Sequence, residues 1–220
     1  MGFSWETVYF LRVFDYNFLK HRKREVVLMK KLVFINACIR GQDSRTLSVA
    51  QPILAALEAR YAITRIDLTG SSLAPVTAPL FDQRGSGISQ EDSAYGKLVA
   101  EADRIVIAAP FWDMSFPSVL KVFFEHISVP DITFRNNPDG TTRGNCKAEK
   151  LLYITTRGME IETGSALDQG TSYLKALGWL WGFGEVITVA ARGMDVQPAE
   201  IVRQRLEDAR WEGLEICKGF

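Results

Sequence analysis

Three short stretches gather residues whose types suit them to hold a charged, flat ligand. They are "ACIRGQDSRT" from Ala37 to Thr46, "APFWDMSFP" from Ala109 to Pro117, and "TTRGME" from Thr155 to Glu160. The first offers the hydroxyls of Ser44 and Thr46, flanked by Arg40 and Arg45. At a helix N-terminus, with its free N–H groups and dipole, such a set suits one terminal phosphate. Ser44 reads equally well as the N-cap of the helix that follows, which is what serine does most often there. In the second stretch Phe111 and Trp112 stand between a strand end and a helix start with Asp113 beside them, where a planar ring can lie against aromatic edges. The competing reading makes both aromatics core residues. In the third, Gly158 permits close backbone approach, and the amides from Arg157 to Met159 can donate to a heterocycle that gains charge on reduction. The same glycine can also serve only a turn. Taken together, phosphate donors in one loop and ring-sized ledges in two others describe a site for flavin mononucleotide, FMN.

The elements that have to bring these loops together are legible in the pattern. The runs "KLVFINA" (31–37), "ITRIDL" (63–68), "RIVIAA" (104–109), "LLYITT" (151–156) and "VITVAA" (186–191) read as strands. Three of them are nearly continuous in Val, Ile, Leu and Phe, the pattern of strands covered on both faces. Helical periodicity lies between them. Leu47, Ala50, Leu54 and Leu57 share a face from Ser44 to Arg60, with Pro52 expected to loosen the second turn. Ser89 followed by Asp92 reads as the cap of a second helix. The third carries Phe116, Val119, Leu120, Phe123, Phe124 and Ile127, more large apolar positions than one contact with a sheet requires. That excess predicts burial against a second copy of the chain, the alternative being a monomer in which this helix is simply well buried. A fourth helix is expected from about Ala166 to Trp181, and a last one from Pro198. Five strands alternating with five helices predict an α/β fold, a parallel sheet in the order 2-1-3-4-5 with helices on both faces. Ligands in such sheets bind beyond the carboxyl ends of the strands, at the switch point between strands 1 and 3, and the three stretches follow strands 1, 3 and 4.

Composition narrows the function classes. The 220 residues carry 26 basic and 26 acidic side chains, so the chain has no electrostatic footprint for a nucleic-acid backbone. No apolar run approaches the ~20 residues of a membrane span. The three cysteines, Cys38, Cys146 and Cys217, form no C-x-x-C pair, which argues against a disulfide framework or zinc site and for a reducing cytoplasm. Residues 1–28 carry five basic and three acidic side chains, with the cluster "KHRKR" at 20–24. They read as an extension, either disordered or carried in by an upstream start codon, or as a surface-binding helix. The domain proper is expected over 29–220. The first loop lacks G-x-x-x-x-G-K-[ST] and G-x-G-x-x-G, so nucleoside triphosphates and dinucleotides have no fingerprint as bound cofactors. A hydrolase built on Ser44 lacks G-x-S-x-G and a late histidine, and a receiver domain lacks acidic residues after its first strand.

With "SRT" (44–46), "APFWDMSFPSVLKVFFEHI" (109–127), "ITFRNNPDGTTRG" (132–144) and "ITTRG" (154–158) in view, the chain resembles a known family. It is that of FMN-dependent NADH azoreductases and related NAD(P)H:quinone oxidoreductases of flavodoxin-like fold, over about Met29 to Ala209. The resemblance implies that Ser44, Arg45 and Thr46 hold the FMN phosphate. By the same likeness Pro110, Phe111, Trp112, Asp113 and Met114 line the isoalloxazine, and Thr156, Arg157, Gly158 and Met159 meet its pyrimidine edge. It further implies that Trp112, Phe134 and Met159 face the substrate. The flavin N5, and no catalytic side chain, would carry hydride from NADH or NADPH to a quinone, azo or related aromatic acceptor by a ping-pong route. A homodimer is implied, in which Phe134 or its neighbours close the partner's flavin site. Relatives often have Ser near Ala37, Gly at Met159 and an acid at Arg192, so Met159 is expected to narrow the site. The alternative within this fold is an electron carrier without substrate turnover.

Overall fold

The computed structural model describes residues 29–71, 73–84 and 87–220, and the readings made for residues 1–28 lie outside them. Five parallel strands, β1 (Lys30–Asn36), β2 (Tyr61–Asp67), β3 (Arg104–Ala108), β6 (Lys150–Thr156) and β7 (Glu185–Ala191), form one sheet in the order β2-β1-β3-β6-β7. This is the expected order 2-1-3-4-5 once a separate antiparallel hairpin, β4 (Phe134–Asn136) and β5 (Thr142–Gly144), is set aside.

The period of two along each strand divides its side chains between two cores. Val33, Ile35, Ile105, Ile107, Leu151 and Tyr153 face one way, toward α3 (Gln90–Ala100), α4 (Ser118–Ile127) and α5 (Gln169–Trp181). Leu32, Phe34, Val106, Ala108, Leu152 and Ile154 face the other, toward α1 (Arg45–Glu58) and α6 (Ala199–Lys218). Both faces are therefore covered, which is why the strand sequences read as continuous apolar runs.

Several local expectations need correction. Pro52 does not interrupt α1, which is helical through it. A proline at this position leaves the carbonyl four residues back without its helical donor. Here that carbonyl, on Ser48, accepts from Arg210 Nε of α6 at 3.2 Å. α5 begins at Gln169 and not near Ala166, because Asp168 caps it by accepting from the Thr171 N–H. A short helix, α2 (Ala78–Arg84), lies between β2 and α3, where the sequence pattern predicts no element.

The excess of large apolar residues on α4 is used within the chain. Phe116, Leu120, Phe123, Phe124 and Ile127 are all buried. The ring of Phe124 stacks on Tyr173 and meets Trp181 edge-on, and Phe123 meets Tyr95. The apolar face of α4 is thus covered by its own chain and leaves no surplus for a second copy.

The hairpin lies at the amino-terminal edge of the sheet. β5 sits against the last turn of α5: Cys146 N–H donates to Trp181 O at 2.8 Å, and a Cβ on Gly144 would fall 2.0 Å from the Trp181 carbonyl carbon. Phe134 is half-buried against the core shared by α4 and α5. It also lines a cavity of about 710 Å³ with Phe81, Ile88, Val129 and Pro130. Within its own chain, then, Phe134 does not stand at the mouth of the expected site. No helix among the described residues is long and apolar enough to cross a membrane.

Candidate functional site

The three loops converge at the carboxyl ends of β1, β3 and β6. Thr46, in the first turn of α1, and Thr156, at the end of β6, are both buried and share a hydrogen bond between their hydroxyls at 2.6 Å. Phe111 N–H donates to Thr156 O at 3.1 Å, which ties the loop after β3 to the same point.

Ser44 is the N-cap of α1: its hydroxyl oxygen accepts from Leu47 N–H at 3.2 Å. A capping hydroxyl still has its own hydrogen to give, so capping and phosphate binding are compatible. Among the described residues, the N–H groups of Arg45 and Thr46 make no hydrogen bond. These are the first two amides of the helix, at the positive end of its dipole. Two unpaired amides, two hydroxyls and the exposed Arg45 fit a terminal phosphate, with Thr46 itself fully buried and Ser44 nearly so. Cys38 lies close by and is buried, and burial pushes its thiol up to about 11.

The second loop is shaped by one tight turn. Trp112 and Ser115 exchange backbone hydrogen bonds at 3.1 and 2.8 Å, and the residues between them, Asp113 and Met114, have φ of 48° and 66°. Positive φ at both central positions is type I′ geometry, usually given to Asn and Gly, and is strained for a methionine. The turn leaves the Asp113 and Met114 amides without hydrogen bonds among the described residues. It also holds Trp112 and Met114 out, 41% and 36% exposed. Phe111 differs from its expected role as a second bare ledge. It is buried, with its ring centre 4.8 Å from the Arg157 guanidinium carbon.

In the third loop the Arg157 amide is not open, because it donates to Ala191 O at 2.8 Å. The Gly158 and Met159 amides have no partner among the described residues, while their carbonyls accept from Asp195 and Gly193 at 2.9 and 3.0 Å. A Cβ at Gly158 would meet the carboxyl group of the exposed Asp195 side chain, which can move aside, so the backbone here does not strictly demand glycine. Met159 is 48% exposed. Arg192 is held in an ion pair with Glu160 at 3.5 Å.

Sequence reasoning missed Asp168, which lies beneath the site. It is fully buried with Arg157 and accepts from Arg157 Nη2 at 2.9 Å, from Gly164 N–H at 2.9 Å and from Thr171 N–H at 3.0 Å. Its position just before a helix marks it as a cap, but nothing local names the arginine. Burial raises its pKa, yet the Gly164 and Thr171 donors and the Arg157 cation together hold the carboxyl below the usual carboxylate range. A depressed folded-state pKa contributes stability at pH above the unfolded value, and this is lost as pH falls through the folded one. Asp168→Asn is therefore expected to lower the urea midpoint at pH 7 and to flatten its decline below about pH 4. A midpoint that falls equally at all pH values would show that the charge is not involved. The single histidine of the described chain, His126, lies away from these loops, buried with Asp92 Oδ1 at 2.9 Å and Ala74 O at 2.8 Å.

A family model described as a flavodoxin-like fold matches residues 30–212. An FMN-dependent NADH:quinone oxidoreductase of Clostridium perfringens is 28% identical over 204 residues, covering 87% of this chain and all of the relative. A second protein of that kind, FMN-dependent NADH:quinone oxidoreductase 2 of Clostridium acetobutylicum, is 33% identical over 138 residues, 60% of this chain and 68% of the relative. The solved azoreductase of Bacillus anthracis aligns with a TM-score of 0.74 at 20% identity, over 87% of this chain and 100% of that one. An FMN-dependent NADH-azoreductase from the same species, solved in complex with FMN, aligns with a TM-score of 0.71 at 21% identity, over 86% and 98% of the two chains.

Proposed function

Because the chain belongs to the flavodoxin-like fold family, we propose that it is an FMN-dependent oxidoreductase taking hydride from NADH or NADPH and passing it to a quinone, azo or related aromatic acceptor. The observation that carries this reading is the convergence of three loops, joined at the Thr46–Thr156 hydroxyl pair, each with backbone amides unpaired among the described residues. FMN bound there supplies the hydride-accepting and hydride-donating chemistry.

The chain's own residues bind and orient. The amides of Arg45 and Thr46, with the hydroxyls of Ser44 and Thr46, hold the phosphate. The Trp112–Ser115 turn, following Pro110, presents the open Asp113 and Met114 amides and the exposed Trp112 to the ring. Thr156 and the Gly158 and Met159 amides meet the pyrimidine edge, where hydrogen bonds that strengthen as charge develops favour reduction. Phe111 acts from behind, as packing. Trp112, Met114 and Met159 form an apolar mouth for a flat acceptor. One mouth serving both substrates in turn gives the ping-pong order.

A homodimer remains part of this proposal, supported now by the exposed Trp179 and Leu167 and not by α4. In it Phe134, through the exposed neighbours Arg135 and Asn136, closes the partner's site. Three buried free thiols favour a cytoplasmic setting. The purified protein is expected to release FMN, not FAD, on denaturation and to scatter light as a dimer. Colourless protein that takes up no added FMN overturns the cofactor assignment, and a fully active monomer overturns the composite site.

A further inference from the structure

Arg157 carries more structure than its place beside Gly158 accounts for. Its side chain is fully buried, as is that of Asp168. Nη1 donates to Ile161 O at 2.9 Å, Nη2 donates to Asp168 Oδ2 at 2.9 Å, and the guanidinium lies over the Phe111 ring. Asp168 is engaged through both oxygens, with Gly164 and Thr171 as further donors. The next residue, Gln169, donates its N–H to Met114 O at 3.0 Å, inside the strained turn. A continuous chain of contacts therefore runs from Arg157 through Asp168 and Gln169 to Met114, with a second branch through Phe111. It connects the amides of the third loop to those of the second.

Stability alone does not explain such a pair. Burying two charges is costly, and apolar replacements of similar volume are often as stable. Arg157 Nε is also buried with no partner among the described residues, a further cost. A planar fork that fixes three directions at once is what arginine offers and lysine does not.

We infer that Arg157 is a positioning residue of the flavin site, whose guanidinium fixes the Gly158–Met159 amides and the Trp112–Ser115 turn in one spatial relation. The inference rests on the function proposed above. FMN affinity, the visible spectrum of bound flavin at saturating FMN and the melting temperature of the FMN-free protein are measured for wild type, Arg157→Lys, Arg157→Met and the double variant Arg157→Met/Asp168→Asn. Asn keeps the capping acceptor of Asp168 while removing its charge. Arg157→Met is expected to lose both melting temperature and FMN affinity. The double variant, with no unpaired buried charge, is expected to regain most of the melting temperature. Its FMN affinity stays weaker by roughly tenfold or more, the scale of effect when supporting groups shift a site, and its flavin band stays displaced from that of wild type. Arg157→Lys keeps the charge without the fork and is expected to behave like the double variant.

FMN affinity and spectrum that recover together with melting temperature, or that are unchanged in Arg157→Met, overturn the inference and leave the pair a fold element. Wild type that takes up no FMN overturns the proposed function, and this inference with it.

Discussion

The double variant Ser44→Ala/Thr46→Ala is expected to bind FMN at least about tenfold more weakly than wild type, since each hydrogen bond to a charged group is worth ~1.5–3 kcal/mol and a tenfold change needs only ~1.4 kcal/mol. Ser44 also caps α1, so part of the effect is on the fold: loss of an N-cap costs ~1 kcal/mol of stability. Riboflavin separates the two contributions, because it has the ring and ribityl chain without the phosphate. Its affinity is expected to stay close to that of wild type in the double variant while FMN affinity falls. Equal weakening for both ligands would mean that the hydroxyls serve only the fold, Ser44 by capping and Thr46 through its contact with Thr156.

The second large effect is on stability. In Gly144→Ala the new Cβ would lie 2.0–2.2 Å from the backbone atoms Trp181 C, Gly182 N and Trp181 O. Backbone cannot swing aside as a side-chain end can, so β5 has to lift from α5 or the last turn of α5 has to shift. Overpacking of this kind costs typically 1–3 kcal/mol and occasionally more, and about 3 kcal/mol is expected here. Chemical denaturation of the two proteins measures it. A midpoint within error of wild type would show that the hairpin does not dock on α5 in solution. Gly158→Ala provides a contrast, because the atoms it meets belong to the exposed Asp195 side chain.

These two glycines illustrate what the chain discloses locally. The sheet was legible because three of the strands carry apolar runs long enough to face two cores, and the order is the commonest of the few that right-handed crossovers leave. Ser44, Thr46 and Gly158 were legible because a cap, a helix start and a turn each have a short-range signature. What was not legible depends on partners far along the chain. Phe111 looks like Trp112 in sequence; only the Arg157 guanidinium, brought in by β6, separates a buried ring from an exposed one. The width of the apolar face on α4 resembles a protein interface until Tyr95 of α3 and Tyr173 and Trp181 of α5 are seen to cover it. The role of Gly144 is fixed by the end of a helix that begins well after it. Pro52 is accommodated by Arg210, from the last helix of the chain.

The strained Asp113–Met114 turn, the open amides around it and the Arg157–Asp168 pair beneath all serve one claim, that these loops hold a flavin that is reduced by one substrate and reoxidised by another. Its most direct test is a pair of anaerobic half-reactions on protein loaded with one equivalent of FMN, followed by flavin absorbance. The account predicts that NADH or NADPH alone bleaches the flavin, and that a quinone added after the nucleotide is removed restores the full absorbance without further reductant. Flavin that stays oxidised in the presence of both nucleotides, or that is bleached but not reoxidised by any quinone or azo acceptor, would contradict it.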